Sequence, residues 1–216
     1  MRALVIEPWP QTLRTERLTL RPMDAGDRDA IIDLVTNVDA YRHQGGGYTL
    51  EEAEKAVQPP YGEQSGSFVV VETATGSVAG WVGIDRHNPE RPGHRDDPER
   101  PGEGELELSY VLHPRHWGKG FGSEVSTAVL TWVTELVPDR YVIAVTQTAN
   151  ARSVAMLHRL GFAERQRFME FGDEQTLLTR ALIDRLVERD GNLLSLPGGA
   201  ALTDDDVRRI RLADQR

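Results

Sequence analysis

The 216-residue chain contains no cysteine, which excludes disulfides, thiol nucleophiles and thiolate metal sites. Any chemistry must use oxygen and nitrogen groups, and every redox compartment stays open. A long apolar run is also missing, since no stretch approaches the roughly 18 consecutive apolar residues of a membrane span. The opening segment MRALVIEPWPQ reaches Glu7, Pro8 and Pro10 before a signal-like core can develop. A soluble, cytoplasmic protein without a membrane partner is expected. Basic excess is absent as well: the net charge of -9 argues against a nucleic-acid partner, whose footprint is basic, and favours cationic small molecules or peptides. What is present is ordinary globular material, 39% hydrophobic and 27% charged, enough for one main domain with residues left over.

Thr15 to Met23 (TERLTLRPM) alternates Leu18 and Leu20 with polar neighbours and ends at Pro22, as a strand does. Asp24 then caps a helix whose apolar residues Ile31, Leu34, Val35 and Val38 recur at helical spacing. Thr49-Leu50-Glu51-Glu52 has the capping-box pattern of a short second helix, stopped by Pro59-Pro60. Ser67 to Asp85 reads as an antiparallel hairpin turning at Thr75-Gly76.

Arg86 to Gly104 holds four Pro, three Gly, five acids and four Arg without a hydrophobic residue. A mobile loop is expected there, serving either as solvated filler or as a substrate lid. Glu105 to Leu112 (ELELSYVL) alternates so that Glu105, Glu107 and Ser109 share one face of a strand while Leu106, Leu108 and Tyr110 share the other. The stretch RHWGKGFGS follows, and after it Val125, Ala128, Val129, Trp132, Val133 and Leu136 keep the period of a long buried helix. Strand, glycine-rich turn and helix start form an anion site: the first backbone N–H groups are unpaired, the helix dipole is positive there, and glycine admits a phosphate.

Nucleotide readings of this site are weak. A P-loop needs Gly four residues before a Gly-Lys pair and Ser or Thr after the Lys, whereas Lys119 is followed by Gly120. A dinucleotide fingerprint from Gly118 needs Gly or Ala where Ser123 stands. His113 and His116 have only H-x-x-H spacing across Pro114, so they read as exposed histidines beside a phosphate loop, and no metal is expected. Trp117 reads as a packing residue beneath the turn. The segment from Arg115 to Gly120 is R-x-x-G-x-G, which resembles the acyl-CoA pyrophosphate loop of the GNAT superfamily of N-acyltransferases.

The likeness widens downstream. Arg140 to Val145 (RYVIAV) is a strand, and Asn150 to Phe162 (NARSVAMLHRLGF) is similar to the Asn-x-x-Ser helix and Leu-Gly-Phe ending of the subgroup that acetylates ribosomal-protein N-termini. Gly161 suits a helix C′ position and Phe162 its apolar partner. RLTLRP and WGKGFGSE are similar to that subgroup too, and the likeness spans roughly Leu13 to Leu182 by motif order.

That resemblance implies an α/β acyltransferase fold over residues 13–182, with a mixed, mostly antiparallel sheet splayed at the cofactor site. It implies acetyl-CoA as donor and direct transfer to a primary amine, most simply a protein or peptide N-terminus. A small amine such as an antibiotic or polyamine is the alternative acceptor, and a silent acyl-CoA-binding module the alternative class. Implied donor-site residues are Arg115, Trp117, Gly118, Lys119, Gly120, Phe121, Gly122, Ser123 and Asn150, with the backbone around Val111 and Leu112 holding the pantetheine amide and polarising the acyl carbonyl.

Attack on a thioester requires a neutral amine, and a base matters more for a Lys-like group near pKa 10.4 than for an α-amine at about 7.7 to 8.0. Glu107 is the candidate base, on the strand entering the loop. Glu105 lies one pleat away and stays open, and both are equally readable as solvated charges. Ser153 is the candidate donor to the departing thiolate. Asn150 and Ser153 are also readable as a helix cap and a first-turn hydrogen bond. Tyr110 reads as core. Residues 183–216 form an extension: a helix through Ile183, Leu186 and Val187, a turn at Asp190-Gly191-Asn192, and a capped helix from Thr203 to Ala213. A monomer or a homodimer is equally compatible.

Overall fold

The computed structural model describes residues 5–95, 102–137 and 139–182, and the backbone of Val187–Arg189 and Asn192–Leu194. Eight strands form one mixed sheet: β1 (Leu13–Arg14), β2 (Leu18–Arg21), β3 (Ser67–Glu72), β4 (Val78–Arg86), β5 (Leu106–Leu112), β6 (Tyr141–Gln147), β7 (Ala163–Glu170) and β8 (Asp173–Ala181). Their order across the sheet is β1-β2-β3-β4-β5-β6-β8-β7. All neighbours are antiparallel except β5 and β6. The helices α1 (Arg28–Thr36), α2 (Leu50–Ala56), α3 (Phe121–Thr134) and α4 (Ala151–Arg159) flank the sheet.

Helices α1 and α2 pack on one face, where Ile31, Leu34, Val35 and Ala53 meet Val69, Val111 and Trp81. Helices α3 and α4 pack on the other, where Val125, Val129, Val133 and Leu157 meet Leu20, Val82, Leu106 and Leu108. Covering both faces explains why β3 carries a continuous apolar run, with Phe68, Val69 and Val70 all buried. Val125, Val129 and Val133 are each 0% exposed, and each such burial stabilises by roughly 1.5 kcal/mol or more.

Local chemistry sets the helix ends. The Thr49 hydroxyl accepts from the Glu52 N–H at 3.3 Å while the Glu52 carboxylate accepts from the Thr49 N–H at 2.8 Å. Asp24 caps a single 3-10 turn, Ala25–Asp27, from which α1 continues. Val38 departs from the expected helix and is 71% exposed. The Asn37 side chain accepts from the N–H groups of Asp39 and Ala40 at 3.1 and 3.0 Å, an Asx turn that ends α1 before Val38. Leu136 likewise lies beyond the end of α3 and is partly exposed. At the end of α4, Gly161 N–H bonds the His158 carbonyl and Phe162 N–H the Leu157 carbonyl, both at 3.0 Å, with Phe162 buried beneath. These are the paired bonds of a Schellman motif.

Two expectations change at the edges. Strand β4 runs one residue into the expected loop, where Arg86 pairs with Leu106 and its guanidinium is gripped by Asp139 at 2.5 and 3.0 Å. In the extension, Val187 lies in a strand, Val187–Arg189, which pairs antiparallel with Asn192–Leu194, rather than in a helix. Ile183, Leu186 and the segment from Thr203 to Ala213 lie outside the described residues.

Candidate active site

Strands β5 and β6 pair in parallel only at Leu106↔Val142 and Glu107↔Ile143, then part. The gap opens at the end of β5, where the glycine turn begins. The register shows which backbone groups face it. His87 N–H bonds Glu105 O and His113 N–H bonds Ala79 O, at 2.8 and 2.9 Å. By the alternation of an antiparallel ladder, Glu107, Ser109 and Val111 also direct their peptide groups toward β4. Leu108, Tyr110 and Leu112 direct theirs into the gap. Of the expected pair, Leu112 thus faces the gap and Val111 does not, and Tyr110 takes its place.

Gly118 and Gly120 both have positive φ, +75° and +81°, and Gly120 is the residue from which α3 starts. The N–H groups of Phe121, Gly122 and Ser123 stand in the first turn of a 14-residue helix, without intrahelical acceptors. A β-carbon on Gly122 would lie 2.9 Å from the Met156 Sδ of α4, so glycine is what lets α3 approach α4 here. Arg17, which sequence reading gave no role, fixes the turn from outside. Its guanidinium donates to the Lys119 carbonyl at 2.8 Å and to Glu124 at 2.5 and 2.8 Å, and lies 4.9 Å over the Phe121 ring.

The expected basic groups are already engaged, with Lys119 Nζ on Glu72 at 3.2 Å and Arg115 on Asp33 at 3.4 Å. Trp117 is not beneath the turn but 38% exposed, because its indole N–H donates to the Leu112 carbonyl at 2.7 Å and its ring lies 5.4 Å from the Arg152 guanidinium. The histidines are not exposed either. His116 is 4% exposed and stacks on Phe121, while His113 caps the 3-10 turn Pro114–His116 and meets Asp33 at 3.3 Å. Among the described residues no group of three or more His, Asp or Glu is placed to hold a metal.

Burial, and then the neighbouring cations, push both imidazoles below their ordinary pKa. The unfolded chain therefore binds more protons just below about pH 6.5, so stability is full above that pH and declines on acidification through it. His116→Phe, which keeps a ring against Phe121, is expected to flatten the fall in urea midpoint between roughly pH 6.5 and 5. An unchanged slope would place the acid sensitivity elsewhere.

The carboxylates of Glu105, just before β5, and Glu107, within it, are not equivalent, and neither is a solvated surface charge. Glu105 accepts two bonds from the Arg165 guanidinium, at 2.5 and 2.8 Å, and a third from the Arg95 N–H at 3.2 Å. Glu107 accepts from His87 Nδ1 at 2.7 Å, with Arg91 Nη1 at 3.8 Å. Arg91 itself is held by Glu170 of β7 at 2.7 and 3.0 Å, so the part of the expected loop nearest β4 is tied to the site. Across the gap, His43 meets Gln147 of β6 at 2.8 Å, and Gln147 donates to Asp173 at 2.8 Å.

On the opposite face, the Ser153 hydroxyl lies 2.6 Å from the Tyr110 hydroxyl. Tyr110 is therefore more than core, and burial raises its phenol pKa against the weaker opposing effect of the Ser153 hydrogen bond. Asn150 does cap α4, accepting from the Ser153 N–H at 3.3 Å, and donates to Thr146 Oγ1 at 3.2 Å.

A family model described as an acetyltransferase (GNAT) domain matches residues 17–163. The chain belongs to the GNAT acetyltransferase family. This GNAT chain is 24% identical over 186 residues to the uncharacterized N-acetyltransferase p20 of Bacillus licheniformis, covering 83% of this chain and 98% of that one. A GNAT-family acetyltransferase from Bacillus anthracis superposes with a TM-score of 0.65 at 19% identity, covering 80% of this chain and 99% of that one. The spermidine N-acetyltransferase of Vibrio cholerae, solved with CoA and spermine, gives 0.58 at 17%, covering 78% and 97%. At these identities the solved structures establish the fold, which is the splayed α/β acyltransferase architecture. The GNAT chain is thus an acetyl-CoA-dependent acyltransferase by family.

Proposed function

We propose that the protein moves an acetyl group from acetyl-CoA to a primary amine by direct attack, with Glu107 as general base and Ser153 as proton donor. One observation carries the reading: Glu107 is the last β5 residue in register with β6, so its carboxylate stands where the sheet opens. The local architecture fits the donor. The gap-facing edge of β5 offers the peptide groups of Tyr110 and the N–H of Leu112 to the pantetheine arm, and Gly118 to Ser123 offer a positive helix start to the pyrophosphate. Asn150 stands at the start of α4. Bound acetyl-CoA supplies an activated thioester.

In this reading Glu107 accepts the proton that the amine loses, and Ser153 donates toward the departing sulfur. Tyr110 fixes the Ser153 hydroxyl rotor through their 2.6 Å contact. Glu105 serves the fold instead. Glu105→Gln is expected to destabilise the protein by on the order of 3 kcal/mol, because it removes the negative charge that compensates the 7% exposed Arg165 guanidinium and leaves one acceptor oxygen in place of two, while the folded protein keeps its rate. A normal melting curve with a collapsed rate would exchange the roles of the two glutamates.

The acceptor we favour is the N-terminal amine of a protein or peptide, on the likeness of Glu107-Leu108-Ser109-Tyr110 and Asn150-x-x-Ser153 to the ribosomal-protein subgroup. An α-amine is partly neutral near pH 8, so the base is needed chiefly to take the proton that the attacking nitrogen sheds. A small cationic amine is the second reading, supported by the net charge of -9 and the Glu107 carboxylate where the sheet opens. A thiol-release assay with acetyl-CoA separates them. Peptides beginning with Ser or Ala should react while their N-acetylated forms do not; reaction of spermidine alone would favour the second reading. Acetyl-CoA binding without transfer to any amine would favour a silent binding module.

A further inference from the structure

We infer that His87 is a positioning residue for the general base, holding the Glu107 carboxylate in one orientation and leaving its other oxygen to the amine. The inference rests on Glu107 as base. His87 is 1% exposed, and its Nδ1 lies 2.7 Å from Glu107 Oε2. An ionised carboxylate only accepts, so Nδ1 carries a proton, and in the neutral imidazole Nε2 is a bare acceptor. Nε2 is buried with no hydrogen-bond partner among the described residues. That arrangement has no value to packing, since an apolar side chain of similar size would fill the space without burying an unpaired nitrogen. It also argues against His87 as the base itself, because its one free lone pair is buried.

The backbone holds this imidazole firmly. His87 N–H bonds Glu105 O at 2.8 Å, extending the β4–β5 ladder by one rung beyond Arg86. Gly104, on the returning side of the loop, passes so close that a β-carbon there would lie 2.0 Å from the His87 carbonyl oxygen, and its φ is +76°. The second group near the Glu107 oxygen differs in kind. Arg91 is 3.8 Å away and forms its close bonds with Glu170. Its charge is shared with another strand, whereas the neutral Nδ1–H is committed to Glu107. A neutral donor orients the carboxylate without adding a full positive charge, which suits a group that must accept a proton.

The test uses the full chain, acetyl-CoA and the best amine from the peptide and spermidine panel. His87→Leu is expected to lower kcat at least about tenfold, and by no more than the roughly 10²–10⁴-fold that a lost base costs, with KM for acetyl-CoA unchanged. His87→Asn, whose amide N–H can replace Nδ1–H, should recover most of that loss. In a Glu107→Gln background His87→Leu should add nothing further, since it acts through a base already absent. An undiminished rate in His87→Leu, an Asn variant no better than Leu, or losses that multiply in the double variant would each overturn the inference. If Glu107→Gln alone keeps full rate, the base assignment itself fails. Nitrogen-15 imidazole spectra of the unsubstituted protein read the same point without an acceptor: an Nδ1–H tautomer that is perturbed in Glu107→Gln is expected, and an Nε2–H tautomer would contradict it.

Discussion

Gly120→Glu is expected to abolish acetyl-CoA binding, lowering affinity at least about a hundredfold, or roughly 2.8 kcal/mol at 1.4 kcal/mol per tenfold. Three effects act together at this position. Gly120 has φ +81° at the start of α3, a conformation that costs an L-residue about 1–2 kcal/mol. A β-carbon there would stand 3.5 Å from Arg17 Nη2, so the new carboxylate lies within reach of the guanidinium that fixes the turn. It also places a negative charge at the helix start, where the diphosphate is proposed to sit. Calorimetry measures the loss, and a melting curve close to that of the unsubstituted protein separates it from unfolding. Retained affinity would move the donor site away from this turn.

The second large effect is Glu107→Gln, expected to lower kcat by roughly 10²–10⁴-fold with acetyl-CoA affinity nearly unchanged. The amide keeps an oxygen to accept the His87 Nδ1–H, so the fold around it is preserved while the proton acceptor is lost. The remaining rate should climb with pH toward and beyond about 8, as more of an α-amine acceptor becomes neutral without help. Steady-state kinetics across that range check both features. A full rate throughout would remove Glu107 as base and point to a water chain.

Periodicity made much of the fold legible. The two-residue alternation of β5 and the helical spacing of Val125, Val129 and Val133 are local consequences of burying one side of an element. Capping signals were legible for the same reason, since Thr49 and Glu52, or Gly161 and Phe162, act within a few residues of each other. Val38 was misplaced because the Asn37 side chain competes locally with the helix, and apolar spacing does not record that.

The site was only half legible, because its parts come from distant segments. The proposed parts, Glu107, Ser153 and the glycine turn, can be picked out by residue type beside a strand or helix end. Their supporting groups do not: His87 reaches Glu107 across a loop without hydrophobic residues, Arg17 reaches Lys119 from 102 positions away, and Tyr110 meets Ser153 across 43. That the Leu112 peptide groups face the gap and those of Val111 face β4 required the β4–β5 register, which alternation within one strand leaves undetermined. Buried histidines read as exposed for a related reason: polar residues in a loop are buried only when a fold supplies partners or stacking, as Phe121 does for His116.

The most direct measurement is a calorimetric titration of the full chain with acetyl-CoA, run beside ATP and NAD. Saturable binding of acetyl-CoA, with neither nucleotide competing, is the expected result, because the β5 gap is proposed to take the pantetheine and the Gly118 to Ser123 turn the diphosphate. Binding of ATP or NAD with no binding of acetyl-CoA would contradict the assignment, and would mean that the turn holds another phosphate.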